Sequence, residues 1–202
     1  MIMARRKVII VTDGDRKACK TLEWAARQIG GRCISLSAGN PTPLSGESIV
    51  DQVKKTPYDP VIVMVDDKGC SGYGRGEQAL EAIVRHPEVE VLGVLAVASN
   101  TDCTEGIHPD ICIDRWGNMS DGPVDKMGQR EMPGHLYLEG DTVDILNSLD
   151  IPVVIGIGDI GKMEQADDLG KGSPITLAAL QEILQRSGYW HSGEESGKNK
   201  SQ

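Results

Sequence analysis

Phenylalanine is absent from the 202-residue chain, and three Trp and four Tyr supply all of its aromatic side chains. An aromatic core is therefore excluded. The interior must be built from Val, Ile, Leu, Ala and Met, and small branched side chains of this kind suit strands packed beneath helices. No apolar run approaches the roughly 20 residues of a membrane span. The first such run, Val8 to Val11, leads at once into Asp13, which speaks against a secretory signal and for a soluble protein. Basic residues are the minority, 21 Lys+Arg against 30 Asp+Glu, for a formal net charge of −9. That balance lacks the basic footprint of a general nucleic-acid binder. The five cysteines (Cys19, Cys33, Cys70, Cys103 and Cys112) are odd in number and form no C-x-x-C pair. Free thiols in a reduced compartment are expected, and a zinc site is not. His86, His108, His135 and His191 lie far apart and form no H-E-x-x-H pattern.

The chain does contain three Val/Ile runs that each end on an acidic, glycine-containing turn. They are Val8-Ile9-Ile10-Val11-Thr12-Asp13-Gly14-Asp15, Val61 to Val65 followed by Asp66-Asp67-Lys68-Gly69, and Val153 to Ile157 followed by Gly158-Asp159-Ile160-Gly161. Continuous apolar runs suit strands covered on both faces, as in a parallel sheet. Loops after the carboxyl ends of such strands share one edge, where ligands bind. Asp13, Asp15, Asp66, Asp67 and Asp159 are thereby expected at one acidic rim. They are candidate ligands for Mg²⁺ or Ca²⁺, hard cations that need oxygen donors. The same acids also suit turns, because Asp side chains bond nearby backbone N–H groups.

Elements alternate along the chain. Lys7–Thr12 reads as a strand, and Asp15 as the cap of a helix over Arg16–Ile29. Cys33–Leu36 reads as a second strand that opens into a turn-rich loop containing Asn40. Ser45 caps a helix to Lys55. After the third strand a glycine-rich loop leads to a helix over Glu77–Arg85, and Glu90–Ala98 is a fourth strand ending at Ser99. This is the pattern of an α/β, doubly wound, mostly parallel sheet of about five strands. Residues 102–139 break it and are read as a small β-containing insertion, with Ile111-Cys112-Ile113 and Leu136-Tyr137-Leu138 as short strands. Asp114-Arg115-Trp116-Gly117-Asn118 and Asp125-Lys126-Met127-Gly128-Gln129 echo each other 11 residues apart in hairpin-turn chemistry. Gly140 to Leu149 reads as a further helix, Ile151–Ile157 as a strand and Pro174–Ser187 as the last helix. One domain over 1–191 is expected, with a polar, disordered tail at 192–202.

The motifs carry several chemistries. In Gly72-Tyr73-Gly74-Arg75-Gly76 the glycines permit close backbone approach, and the helix start offers N–H groups to an anion or a nucleotide. Gly72, Gly74, Gly76, Asn40 and Ser99 are accordingly candidate ligand-binding residues. Gly156 to Met163 mimics a phosphate-binding loop, but Met163 stands where a hydroxyl should ligate Mg²⁺. No G-x-S-x-G elbow surrounds Ser37, Ser71 or Ser99. The acids after the first and third strands are laid out similarly to the Toprim nucleotidyl-transfer enzymes. However, the third-strand pair is D-D where that family has D-x-D, and Asp13 stands where it has Glu. A Mg²⁺-dependent phosphotransfer enzyme is the alternative this layout supports.

A longer resemblance covers about Lys7 to Trp190. Val11-Thr12-Asp13-Gly14-Asp15, Ser37-Ala38-Gly39-Asn40-Pro41-Thr42, Thr56-Pro57-Tyr58-Asp59-Pro60, Gly140-Asp141-Thr142-Val143 and Gly156 to Met163 resemble the soluble form of stage V sporulation protein AE. The resemblance implies an endospore former and an operon that moves dipicolinic acid with Ca²⁺. It implies a place in the forespore cytoplasm or at the periphery of the spore inner membrane, with stage V sporulation protein AF or another membrane protein of the operon as partner. It supplies no catalytic residues. Trp116, Met119, Met127 and Met132 in the insertion are candidate apolar anchors for such docking.

Overall fold

The computed structural model describes residues 4–69, 73–101 and 104–190. The chain forms a mixed α/β fold around one seven-stranded sheet. In chain order the elements are β1 (Arg6–Val11), α1 (Arg16–Gln28), β2 (Arg32–Cys33), α2 (Gly46–Lys55), β3 (Val61–Met64), α3 (Arg75–Arg85), β4 (Val89–Val97), β5 (Ile111–Ile113), β6 (Met119–Ser120), β7 (Val154–Ile157) and α4 (Pro174–Arg186). The strands lie in the order β2-β3-β1-β4-β7-β5-β6, and every pairing is parallel except β5 with β6.

This order follows from the direction of travel. The chain steps outward from β1 to the edge strand β2, then returns through β3 and on to β4. Right-handed crossovers require the helix to change face when the direction reverses. So α1 covers one face, where α4, which follows the last strand, joins it, packing Leu22, Ala25, Ala26, Leu180 and Ile183 on Ile9, Val11, Leu95 and Ile155. The other face takes α2 and α3, with Ile49, Val53, Leu80 and Ile83 on Val8, Ile10, Val63 and Val94. Alternate β1 residues thus serve opposite layers, and each fully buried Ile or Leu contributes about 1.5–3 kcal/mol.

The sheet has seven strands, not five, because Ile111–Ile113 does not belong to a separate small sheet. It runs parallel to β7 inside the main sheet, and only β6 turns back antiparallel on it. All three residues of β5 are buried, so this segment is core strand, too short for its periodicity to be read. Leu136 to Leu138 is not a strand. It makes one bridge, Ile107 to Leu138. The helix expected over Gly140 to Leu149 is a 3₁₀ turn over Asp144–Ser148. The tail after Trp190 lies outside the described residues.

The two echoing pentapeptides are twin turns. Asp114 Oδ1 accepts from the Trp116 and Asn118 amides at 3.0 and 2.9 Å, and Asp125 Oδ1 from the Met127 and Gln129 amides at 2.8 Å each. Gly117 and Gly128 hold the left-handed positions, with φ of 83° and 71°. The turns also join each other, the Arg115 amide donating to the Gly128 carbonyl at 2.8 Å. Ala in place of Gly128 must adopt this φ and meet Met163 Sδ at 2.6 Å. Gly128→Ala should therefore cost about 1–3 kcal/mol, read as a lower urea midpoint. A midpoint equal to wild type would show that the turn is not held this way.

Candidate functional site

The carboxyl ends of β1, β3, β4 and β7 meet where the strand order reverses, the edge at which open α/β sheets bind ligands. A cleft of about 340 Å³ opens there, and Asp13, Asp15, Asn40, Asp66, Ser99, Asp159 and Lys162 are among its lining residues. Thr12 closes its floor by accepting the Val97 amide at 2.9 Å, which ties β1 to β4. Gly14 lets the first loop reach the others. Its amide donates to Asp66 Oδ2 at 3.0 Å, and a Cβ there would lie 2.1 Å from the Gly39 carbonyl oxygen.

The charges in the cleft are arranged around Lys162. Its ammonium donates to Asp15 Oδ2 at 2.5 Å and to Asp159 Oδ1 at 3.2 Å. Burial alone would raise Asp15, but Lys162 and the Ala18 amide outweigh it and hold that carboxyl below its ordinary value. Burial works against the Lys162 charge too, yet Asp15 and Asp159 carry it up to about 12. Asp13 gets no such help. It is buried, accepts only the Asp15 amide among the described residues, at 2.9 Å, and burial raises it to about 7, with the charges of Asp15, Asp159 and Asp66 adding to the rise. Asp66 is raised by burial to about 6, against its bonds from the Lys68 and Gly14 amides and with the help of Asp141. Asp13, Asp15 and Asp159 each offer one oxygen, and these atoms lie within 4.8 Å of one another. They are the acids that could share a cation, in competition with Lys162.

A model of the family described as Stage V sporulation protein AE1 matches residues 7–187. The chain belongs to that family. It is a sporulation-related protein. Neither a curated protein nor a solved structure matches it.

In this member of the AE1 family the fold gathers Asp13, Asp15, Asp66, Asp159, Asn40 and Ser99 at one cleft and leaves Asp67 out. The Asp67 carboxylate turns to the start of α3, accepting the Gly76 amide at 2.6 Å, the Glu77 amide at 3.0 Å and the Thr142 hydroxyl at 3.1 Å. It thereby occupies the helix start that the glycine loop was expected to offer to an anion. Gly74 and Gly76 make room for it. A Cβ on Gly74 would lie 2.2 Å from Asp67 Oδ1, and one on Gly76 2.7 Å from the Asp66 carbonyl carbon. Gly72 lies outside the described residues. Among the insertion anchors, Trp116, Met119 and Met132 are exposed, while Met127 is half-buried.

Three cleft residues escaped the sequence reading. Lys162 sits in the Gly156–Met163 stretch, whose pattern reads only as an imperfect phosphate-binding loop. Lys126 belongs to the second twin turn and reaches the cleft because the Asp159 amide donates to its carbonyl at 2.8 Å. Asp141, which accepts the Gly69 amide, arrives from the far end of the insertion. A Lys three residues after a strand-end Asp is a usable signal for the first of these. The other two depend on how the insertion folds back.

Proposed function

We propose that this protein is an accessory component of spore dipicolinate and ion transport and germination, docking peripherally on a membrane protein and holding a small-ligand sensor at its strand-end cleft. The observation that carries the docking is the distribution of exposed apolar side chains. Of the ten large hydrophobic residues exposed among the described residues, five (Trp116, Met119, Met132, Leu136 and Tyr137) fall between positions 116 and 137. Exposed apolar side chains scattered singly need no explanation, but a concentration of them in one segment that includes Trp and Met has the composition of a binding surface. No helix among the described residues is long and apolar enough to cross a membrane, and the reading places the contact with one through a partner. Stage V sporulation protein AF is the partner we nominate.

The test is co-purification of the two proteins with Trp116→Ala and Met132→Ala variants. Each should weaken the complex by roughly tenfold or more, as truncated anchors at an interface centre do, with no change in melting temperature. Undiminished complex with both side chains removed would rule out this surface.

The oxygens of Asp13, Asp15 and Asp159 favour a second reading, a divalent-cation site serving a phosphotransfer enzyme. A cation there must displace the Lys162 ammonium. Lys162→Met should then tighten Mg²⁺ or Ca²⁺ binding in titration calorimetry, and Asp13→Asn should abolish it. Absence of heat in wild type and in Lys162→Met alike would eliminate the reading.

A further inference from the structure

A second and larger depression, about 780 Å³, adjoins the cleft and shares Asp15 and Asn40 with it. It runs between the start of α1 and the loop after β2. Arg16, Lys17 and Lys20 line it from the helix side, and Ser35, Ala38 and Gly39 from the loop side. In a chain of net charge −9, this concentration of cations stands out.

The groove's two acids are already engaged. Asp15 is held by Lys162 and the Ala18 amide, and Glu23 accepts from the Ser35 hydroxyl and lies 3.9 Å from Cys19 Sγ. Its bases are not. Arg16 and Lys20 are exposed and make no side-chain hydrogen bond or ion pair among the described residues, and Lys17 has only a 3.7 Å contact with Asp168. Arg16 and Lys20 stand four residues apart on one helix, so they are surface neighbours of like charge, an arrangement that costs an isolated helix about 0.2–0.5 kcal/mol. Bases in the first turn also oppose the helix dipole. By contrast, α2 carries Glu47 in its first turn and Lys54 and Lys55 in its last. Helix stability does not account for bases at these positions of α1. A dianion seated between them relieves both penalties, with the guanidinium of Arg16 presenting a fork to paired phosphate oxygens and Lys20 a point charge.

We propose that this groove binds a small organic phosphate or diphosphate, gripped by the side chains of Arg16 and Lys20, with its organic part along Cys19 and Ala38. The groove continues past the two bases along Cys19, Ala38 and Gly39, which gives an organic part somewhere to lie. The amides of α1 take no leading part, because Asp15 already caps them. The gripping side chains Arg16 and Lys20 belong neither to the docking surface nor to the lining of the acidic cleft that the groove adjoins, and the site does not depend on the function proposed above.

Titration calorimetry of the full chain with pyrophosphate and with ADP tests it, beside Arg16→Gln, Lys20→Gln and the control Lys171→Gln. Wild type and the control should bind at least one of the two probes. Each groove variant should lose roughly tenfold or more in affinity, and neither should melt below wild type. Tighter binding of ADP than of pyrophosphate would assign the groove to organic phosphates, and the reverse to inorganic diphosphate. Heat that persists in both groove variants, an equal response to sulfate, or no binding of either probe by wild type overturns the proposal.

Discussion

Replacing Asp167 with Ala is expected to destabilise the protein by about 3–5 kcal/mol. The side chain is fully buried, and its carboxylate accepts the Gly161 amide at 3.0 Å, the Ile175 amide at 2.9 Å, the Thr176 amide at 3.0 Å and the Thr176 hydroxyl at 2.6 Å. Removing it strands several buried donors at about 1–3 kcal/mol each, offset in part by relaxation. Asp167→Asn keeps one oxygen for the Ile175 and Thr176 amides but turns an NH₂ toward Gly161, so about half of the loss should return. Urea denaturation measures both, as a fall in midpoint with little change in slope. An Ala variant within about 1 kcal/mol of wild type would contradict the assignment. The loss should also reach the cleft. Asp167 fixes Gly161, whose neighbour Lys162 neutralises Asp15 and Asp159. With that ammonium released, Asp15 should titrate at a higher pH, visible in its carboxyl NMR shift.

The second large effect is on pH dependence. Asp13 rises from an ordinary 3.8 to about 7, Glu77 to about 7 and Asp66 to about 6, each mainly through burial. The folded state therefore holds these protons more tightly than the unfolded chain, and their contribution, complete below about pH 4, is lost progressively as pH rises to about 6–7. Asp15 and Asp114 are shifted the other way, held down by Lys162 and the Ala18 amide in one case and by Asn118, Trp116 and Arg130 in the other, against their burial. Their contribution is present above the ordinary carboxyl range and is lost on acidification below it. Stability should peak near the ordinary carboxyl range, at about pH 4, and be lower at about pH 8. Asp13→Asn removes the largest penalty at high pH. At about 1.4 kcal/mol per unit, it should stabilise the protein by about 2–4 kcal/mol at pH 8 and by less than half as much at pH 5, where the penalty has only begun to build. Calorimetric melting at the two pH values decides the matter. An equal shift at both would mean that Asp13 is ionised throughout.

Local rules sufficed wherever the cap and the helix are contiguous. Asp15 and Ser45 accept the Ala18 and Ser48 amides as their positions before α1 and α2 suggest, and Pro174 opens α4. They failed at α3. It begins at Arg75, earlier than Glu77, because its start is satisfied by Asp67 from another element. The strand-end logic placed four of the five rim acids correctly at one edge. It could not separate Asp66 from Asp67, yet successive side chains leaving a strand point to opposite sides, so one faces the cleft and its neighbour the helix. β5 was visible as an apolar triplet, but nothing within three residues reveals which strand it will join. Lys126 and Asp141 come to the cleft through turns and a fold-back whose end point is a tertiary fact.

Asp15 and its ammonium partner are 147 residues apart. During synthesis β1, α1, β2 and β3 emerge long before β7, so the first carboxylates of the cleft wait for most of the chain to be made. Until then Asp15 has no counter-ion and Asp159 does not exist. The site is thus completed late, and any ligand or partner that reads it reads only copies made past β7.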